Sequence, residues 1–523
     1  MEKLVSIVIP MYNSNLVFLY QAVDSAMNQT YNNVEVILVD DGSSKREHLN
    51  VIKKYPGNNR LKLITLDSNS GTSNALNTGI SAATGDYIGF LDHDDVLDPR
   101  CIDYVLVFLE SHKDCDMVYT DEDKINTNNK IVERVYKEDY VPSLLLSMMY
   151  INHFQLYRSE KLREFLPIKY DGAQDFDLVL RFAEKYKIGH IKELMYHWRI
   201  SPTSSLTKMK DYIVDSSFKA VSDALKRRGM DANILPGVSP TQWHVDPILR
   251  ISDPVSIIIV TKDKPDLIKA CIRSIDKYTD YPHEIIIVDT GSTDTEVLEY
   301  YKEICDRCTI VYDKFNYSLN NNMAAKLAKY DYICFMNNDI VATPNWLTEM
   351  MKYAQQKNVG IVGPKLLFTN DTIQHAGLML GSGGLAGHMH IRRPKNFFYT
   401  NYTKEVSGVT GACLLIRKSI FEEVDGFDPE YMIEFQDVDL CLKVSRKEYI
   451  IIYTPYAVLY HYGSATRGEP STIEMQNDRS LFATRWKNEI LSPDPNAIRP
   501  IIDPNTRQLV EHWSKVRRDI VNG

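Results

Sequence analysis

Acidic residues in this chain gather at a few places, each directly after a short apolar run. Asp40-Asp41-Gly42-Ser43 follows residues 36–39, and Asp92-His93-Asp94-Asp95 follows residues 87–91. Later, Asp289 closes the run 285–288, and Asn337-Asn338-Asp339 ends the run that starts at residue 332. A third kind of block, Asp175-Phe176-Asp177 and again Asp437-Val438-Asp439, is trailed each time by a histidine, His197 and His461. Carboxylates repel phosphate groups, but a divalent cation with hard oxygen ligands bridges the two. The pattern therefore suits a metal-bridged nucleoside diphosphate. A diphosphate cradled by backbone amides would call for a glycine-spaced dinucleotide fingerprint or a Gly-Lys-Ser/Thr loop, and the sequence has neither.

The runs that carry these acids are short, rich in Val and Ile and not alternating, as parallel strands buried on both faces are. Helical stretches separate them: residues 16–27 and 71–82, then 266–275 and 318–328. Strand–helix–strand succession implies a mostly parallel α/β sheet with right-handed crossovers, whose ligands bind beyond the carboxyl ends of the strands. The whole set occurs twice. Val5-Ser6-Ile7 returns as Val255-Ser256-Ile257, Val39-Asp40 as Val288-Asp289, and Asp86-Tyr87-Ile88 as Asp331-Tyr332-Ile333, always about 250 residues later. The expected organisation is a duplicated domain, residues 1–240 and 241–490, with a tail over 491–523. A helix over 211–230 closes the first copy, and a Pro- and Gly-containing stretch near 233–254 marks the boundary.

For one copy alone, Asp-Gly-Ser after a strand is an ordinary turn with a helix cap, and Asp92–Asp95 a solvated loop. Recurrence of both at strand ends favours a site. These residues resemble the inverting family 2 glycosyltransferases of the GT-A fold, over about residues 4–205 and 254–470. The resemblance implies two tandem GT-A domains that use nucleotide-sugar donors, UDP-sugars first, with Mn2+ or Mg2+. It implies that Asp40, Asp41 and Asp289 hold the nucleotide, with Pro10, Tyr12 and Thr261 beside them. Asp92, Asn337 and Asn338 join this nucleotide-sugar set, and Asp94 and Asp339 hold the metal and diphosphate. The late histidines, His197 and His461, are implied as further metal ligands, against the plainer role of a satisfied structural histidine. A sugar hydroxyl is a poor nucleophile at neutral pH, so a carboxylate must take its proton, and Asp175 and Asp437 are the bases the resemblance implies. Each also has the plainer reading of a helix-start acid favoured by the macrodipole.

The copies are unequal. Val260 stands where the first copy has Pro10, Thr290 where it has Asp41, and Asn337 where it has Asp92. Copy two is expected to prefer another nucleotide or sugar, or to have lost activity. The pairing of Tyr119-Thr120-Asp121-Glu122-Asp123-Lys124 with Gln374-His375-Ala376-Gly377 and Thr410-Gly411-Ala412-Cys413 resembles two-domain bacterial enzymes that build surface polysaccharides or decorate glycoproteins. The acceptor implied is a lipid-linked or protein-linked glycan. The alternatives are one active domain beside a degenerate carbohydrate-binding one, a binding module without catalysis, and a nucleotidyltransferase. The last usually has a glycine-rich basic loop near its start, and residues 10–16 contain no Gly, Lys or Arg.

Composition sets the outer bounds. The 523 residues, 44% hydrophobic and 25% charged, suit two cores, and a net charge of -9 argues against general nucleic-acid binding. No stretch reaches the ~20 apolar residues that span a bilayer, and the first strand follows Met1-Glu2-Lys3 too closely for a signal peptide. With eight scattered cysteines read as buried reduced thiols, a cytoplasmic protein is expected. Cys305 and Cys308 have half a zinc-site spacing with no second half nearby. A basic amphipathic helix over 507–520 would lie on the inner face of the cell membrane, or pack onto the protein itself or a second subunit of a homo-oligomer.

Overall fold

The computed structural model describes residues 2–45, 50–55, 59–201, 211–381, 385–463, 473–492 and 494. The described residues divide into two compact units: those up to Tyr140 with Leu145–Val245, and Val141–Leu144 with those from Asp246 to Asp494.

In the first unit Val5–Met11 is buried along its whole length, as a strand covered on both faces must be. It pairs in parallel with Val34–Asp40 on one side and Tyr87–Phe90 on the other. The full order is Leu61–Thr65, Val34–Asp40, Val5–Met11, Tyr87–Phe90, Gln155–Arg158, Met117–Ile125, Ile188–Arg199 and Val96–Leu97. Gln155–Arg158 runs antiparallel to both of its neighbours, while the long ladder of Met117–Ile125 with Ile188–Arg199 is parallel. Helix Leu16–Met27 starts at Asn15, whose side chain accepts from Val17 and Phe18 N–H, and it buries Leu19, Val23 and Met27 against the sheet.

The second unit repeats this order strand for strand: Cys308–Tyr312, His283–Asp289, Val255–Thr261, Tyr332–Asn337, Cys413–Arg417, Val359–Leu367, Ile450–His461 and Ile340–Ala342. Cys413–Arg417 is again the antiparallel insertion. The copies also share a buried polar contact. Ser6 Oγ donates to Glu35 at 2.6 Å in the first, and Ser256 Oγ donates to Glu284 at 2.7 Å in the second. The same Ser–Glu contact kept at one place in both sheets is a mark of duplication that strand order alone does not supply. Glu35 is held down to about 2: burial pushes its carboxyl up, but hydrogen bonds from Lys62, Ser6 and Thr84 outweigh that.

The helices expected over 16–27, 71–82, 266–275, 318–328 and 211–230 are present as Leu16–Met27, Thr72–Ala82, Pro265–Tyr278, Tyr317–Leu327 and Asp211–Arg227. All cysteines but Cys305 are buried, and none is in a disulfide. Among the described residues no helix is long and apolar enough to cross a membrane. The helix expected over 507–520 lies outside the described residues.

Candidate active sites

Both units gather their acids at the carboxyl ends of the parallel strands, and the second does so around the larger space. A cavity of about 730 Å³ is lined there by Thr261, Asn337, Asn338, Asp339, Asp437 and His461, which joins six of the expected residues in one place. Asn338 Nδ2 donates to Thr261 Oγ1 at 2.8 Å, and Asn337 N–H donates to Ala412 O at 2.9 Å, which fixes the tip of the strand. Asp289 is not part of the lining. Its buried carboxylate accepts from Gly291 N, Ser292 N and Oγ, and Tyr301 Oη, so it shapes the turn, and the adjacent Thr290 lines the cavity instead.

The metal expectation can be tested on hydrogen-bonding logic. His461 Nδ1 is hydrogen-bonded to Gln374 Oε1, an acceptor, so the ring proton sits on Nδ1 and Nε2 carries a lone pair. That Nε2 faces Asp339 Oδ1 at 3.0 Å, and Oδ1, buried, has no hydrogen-bond donor among the described residues. Two acceptors meeting at 3.0 Å fit a cation held by both. Asp339 and His461 thus offer a cation two ligands, while the one group of three candidate ligands among the described residues, His244, Asp246 and Glu349, is not in the lining of this cavity.

The first unit offers a related but different arrangement. His197 Nδ1 is 2.8 Å from Asp123 Oδ1, so a carboxylate fixes this ring with Nε2 outward, as in a carboxylate–histidine–metal set. No contact joins Asp94 to His197 among the described residues; Asp94 Oδ1 lies 3.9 Å from His93 Nδ1. Strand register accounts for part of the difference. Val96 pairs with His197 as Ile340 pairs with His461, so the first tip, ending at Asp95, is one residue longer than the second, ending at Asp339. Asp95 itself is buried, accepting from Tyr196 Oη at 2.6 Å and Arg199 N at 2.7 Å. Burial and the neighbouring Asp92 push the Asp94 carboxyl up, with His93 opposing, which is the situation a bound cation relieves.

Asp40 and Asp41 are both buried. Asp40 Oδ1 accepts from Ser43 N at 3.0 Å, and Asp41 accepts from Ser70 N and Gly71 N, each at 2.9 Å. Asp41 thus pins the entry to helix Thr72–Ala82. Pro10 lines a cavity of about 80 Å³ together with Asp92, His153 and Asp175, whereas Tyr12 is exposed and outside that lining.

The proposed bases occupy matching places in the first turn of helices Gln174–Ala183 and Gln436–Arg446. Asp175 accepts from its neighbour Phe176 N and from Asn152 Nδ2, and Asp437 accepts from Val438 N and from Gly411 N. Asn152 and Gly411 stand at the same point, just before the antiparallel strand. Helix starts favour a charged carboxylate, but for Asp175 burial wins and, with Asp92, raises its pKa against the pull of His153. The second acid of each block is structural: Asp177 pairs with Arg181 at 2.7 Å, and Asp439 accepts from Trp486 Nε1 at 2.9 Å.

Several site residues were not legible in the sequence. His153 lies in the first cavity, with Nε2 at 3.9 Å from Asp92 and Nδ1 at 3.2 Å from Glu122. Glu122 also accepts from His153 N at 2.6 Å and Lys137 Nζ at 3.1 Å. Burial pulls the His153 pKa down, but Glu122, Asp92 and Asp95 outweigh it and raise it to about 9. In the second unit, Asp478 accepts from Met432, Ile433 and Glu434 N–H, tying down the loop before Phe435, whose φ is +68°, and the base helix. The three consecutive acids Asp121-Glu122-Asp123 within a strand were the one available signal, since buried charges need partners.

A family model described as "Glycosyl transferase family 2" matches the chain at residues 6–166 and again at 256–425. The chain belongs to glycosyl transferase family 2. Each family match covers most of one duplicated sheet but stops before Asp175 or Asp437 and before the long strand Ile188–Arg199 or Ile450–His461. An uncharacterized protein of Sinorhizobium fredii is 35% identical over 92% of this chain and 56% of its own length. The O-antigen biosynthesis protein RfbC of Myxococcus xanthus is 34% identical over 89% of this chain and 38% of its own. A chondroitin synthase of Pasteurella multocida is 26% identical over 67% and 37%. The chain thus spans about half or less of the length of the curated relatives it matches. Among solved structures, S. aureus TarS 1-349 in complex with UDP-GlcNAc is 18% identical, covering 42% of this chain and 66% of that one, with a TM-score of 0.37.

Proposed function

We propose that this chain is a bifunctional inverting glycosyltransferase, in which the domains 1–240 and 241–490 each move a sugar from a nucleoside-diphosphate donor onto a growing surface glycan. The observation that carries this reading is the recurrence of one arrangement: a carboxylate opening a helix, tied to the residue before the antiparallel strand, beside an acidic strand tip. Sugar binding alone requires no such base. The relatives named for O-antigen biosynthesis and chondroitin synthesis support a glycan acceptor.

In this reading Asp175 and Asp437 accept the proton of the acceptor hydroxyl as its oxygen attacks the anomeric carbon. The attack comes opposite the departing diphosphate, so the anomeric configuration inverts. Burial strengthens Asp175 as a base by raising its pKa. Asp94 with His197, and Asp339 with His461, would hold a Mn2+ or Mg2+ ion, which when bound neutralises charge developing on the leaving diphosphate. Asn337 and Asn338 fix the tip, and Lys262 and Lys264, which line the second cavity, supply positive charge for the donor phosphates. UDP-sugars are the first donors to test, and the acceptor is a lipid-linked or protein-linked glycan.

A second reading, an active first domain beside a degenerate carbohydrate-binding one, is favoured by Asn337 standing where the first copy has Asp92. Asp94→Ala and Asp339→Ala separate the two. On the bifunctional reading each abolishes a different transfer, seen as a different accumulating intermediate. If Asp339→Ala leaves every product intact, the second domain only binds.

A further inference from the structure

Phe315 in the second unit belongs to none of the roles above. It lines the 730 Å³ cavity, is 56% exposed, and its ring touches no other aromatic ring among the described residues. A lone apolar side chain on open surface is ordinary, but one lining a polar cavity leaves a large flat face without a partner.

The first copy shows what has changed around this ring. Leu66 N donates to Asp40 O at 2.8 Å, and Asp313 N donates to Asp289 O at 3.0 Å, so the two strand ends correspond. Helix Thr72–Ala82 starts six residues after Leu66, whereas helix Tyr317–Leu327 starts four after Asp313, so the connecting loop is two residues shorter. In the first copy Asp41 holds that loop through Ser70 N and Gly71 N. In the second, Thr290 replaces Asp41, and its hydroxyl donates to Thr261 O at 3.1 Å instead. Asn316 anchors the shorter loop, accepting from Leu319 N at 2.8 Å and donating to Met432 Sδ at 3.4 Å. Phe315 and Thr290 thereby share the cavity lining. A second exchange runs the other way. Asn13 N donates to Ser43 Oγ as Asp263 N does to Ser292 Oγ, so Lys262 occupies the place of Tyr12. The aromatic ring has left the end of the first strand, and another arrives on the loop after Cys308–Tyr312.

Sheet order decides what this ring can meet. Cys308–Tyr312, His283–Asp289, Val255–Thr261, Tyr332–Asn337 and Cys413–Arg417 lie side by side. The cavity residues next to their ends are, in the same order, Phe315, Thr290, Lys262, Asp339 and Gly411, and Gly411 N is bonded to the proposed base Asp437. A donor laid across this row puts its transferred sugar at the Asp437 end and its phosphates in the middle, near Lys262. Its nucleoside then falls at the other end, over Thr290 and against Phe315. A phenyl face suits the flat π system of a nucleobase. We propose that Phe315 is the stacking platform for the nucleobase of the second domain's donor, supplied from the loop 313–316 where the first copy offers Tyr12. This deepens the transferase reading of the second domain and rests on it.

The test is fluorine NMR of the full chain labelled with para-fluorophenylalanine, the Phe315 signal being assigned by its loss in Phe315→Leu. The probes are UDP, GDP, dTDP, inorganic pyrophosphate and methyl glucoside. At least one of the nucleotides should move the Phe315 signal to saturation, while pyrophosphate and the glucoside leave it in place. No movement with any nucleotide, or equal movement with pyrophosphate or the glucoside, would overturn the proposal. By calorimetry, Phe315→Leu should weaken one nucleotide site per chain about five- to a hundredfold, the scale of one base–aromatic stack, and Phe315→Trp should bind at least as tightly as the parent. Leucine keeps apolar bulk without the ring, so parent-like affinity in Phe315→Leu would sink the idea. The binding readings need no turnover. Nucleotide binding with this pattern but no sugar transfer would refute the transferase reading and leave the Phe315 assignment standing. Second-domain transfer whose donor KM ignores Phe315→Leu would do the reverse.

Discussion

Asp478 ties a segment outside the family match to the proposed base of the second unit. It sits on helix Ile473–Arg485, is almost wholly buried, and accepts from Met432 N at 3.0 Å, Ile433 N at 2.7 Å and Glu434 N at 2.9 Å. Those amides lead directly to Phe435 and Asp437. Asp478→Asn keeps one acceptor oxygen, so the three amides, all of which reach Oδ2, lose charge assistance, and Met432 N also meets an NH2 group where it now has a second acceptor in Oδ1. Hydrogen bonds to charged groups contribute about 1.5–3 kcal/mol each, which puts the loss at about 2–4 kcal/mol. A domain stable by about 5–15 kcal/mol survives that, but the loop no longer stays ordered at the same population. Hydrogen exchange should therefore accelerate over residues 431–440 and stay slow over 359–367, and second-domain kcat/KM should fall about 30-fold or more, at 1.4 kcal/mol per decade. Unchanged exchange over 431–440, or unchanged second-domain activity with accelerated exchange, would refute the idea that this helix positions the base.

Other perturbations give equally definite outcomes. His153 has a folded pKa of about 9 against an ordinary 6.5, so its stabilisation is complete below pH 6.5 and lost as pH rises through 9. The first unit should lose up to about 3 kcal/mol across that window in denaturant titrations, and Glu122→Gln should flatten the curve. Gly71→Ala should lower the melting temperature of the first unit, since φ there is +94° and the added Cβ would fall 2.0 Å from Oδ2 of Asp171, whose Oδ1 accepts from Ser73 N at the start of helix Thr72–Ala82. Tyr301→Phe removes one of four donors to Asp289 and should destabilise the second unit by about 1 kcal/mol while leaving donor affinity within twofold, because Asp289 serves the turn. Chelation with EDTA should abolish donor turnover in both domains, with Mn2+ restoring it.

Much of the fold was legible because buried parallel strands leave an unbroken apolar record. Val5–Met11 and Val255–Thr261 are recognisable as the same strand from their side chains alone, and the helices between strands kept their 3.6-residue periodicity. The antiparallel insertions Gln155–Arg158 and Cys413–Arg417 were not legible, because four or five residues carry too little pattern. At the sites, the sequence locates the charged residues but not the hydrogen bonds they make. Asp40, Asp41 and Asp289 look alike in sequence, and only the positions of Ser43, Ser70, Gly71 and Tyr301 reveal which amides and hydroxyls occupy their oxygens. His153 was missed because its partner Glu122 is 31 residues away, in the strand Met117–Ile125. Gln374 was read as part of a motif, but its role in orienting His461 depends on a strand pairing the sequence does not announce.

The central claim is that each unit has its own base and performs its own transfer. The most direct measurement follows products from the full chain carrying Asp175→Asn, Asp437→Asn or both, supplied with a panel of UDP-, GDP- and dTDP-sugars, Mn2+ and a glycan acceptor. The account predicts that each single substitution removes a different linkage, that the double variant makes neither, and that every product has the anomeric configuration inverted from its donor. Loss of the same linkage from both single variants, or retention of both linkages in the double variant, would contradict it.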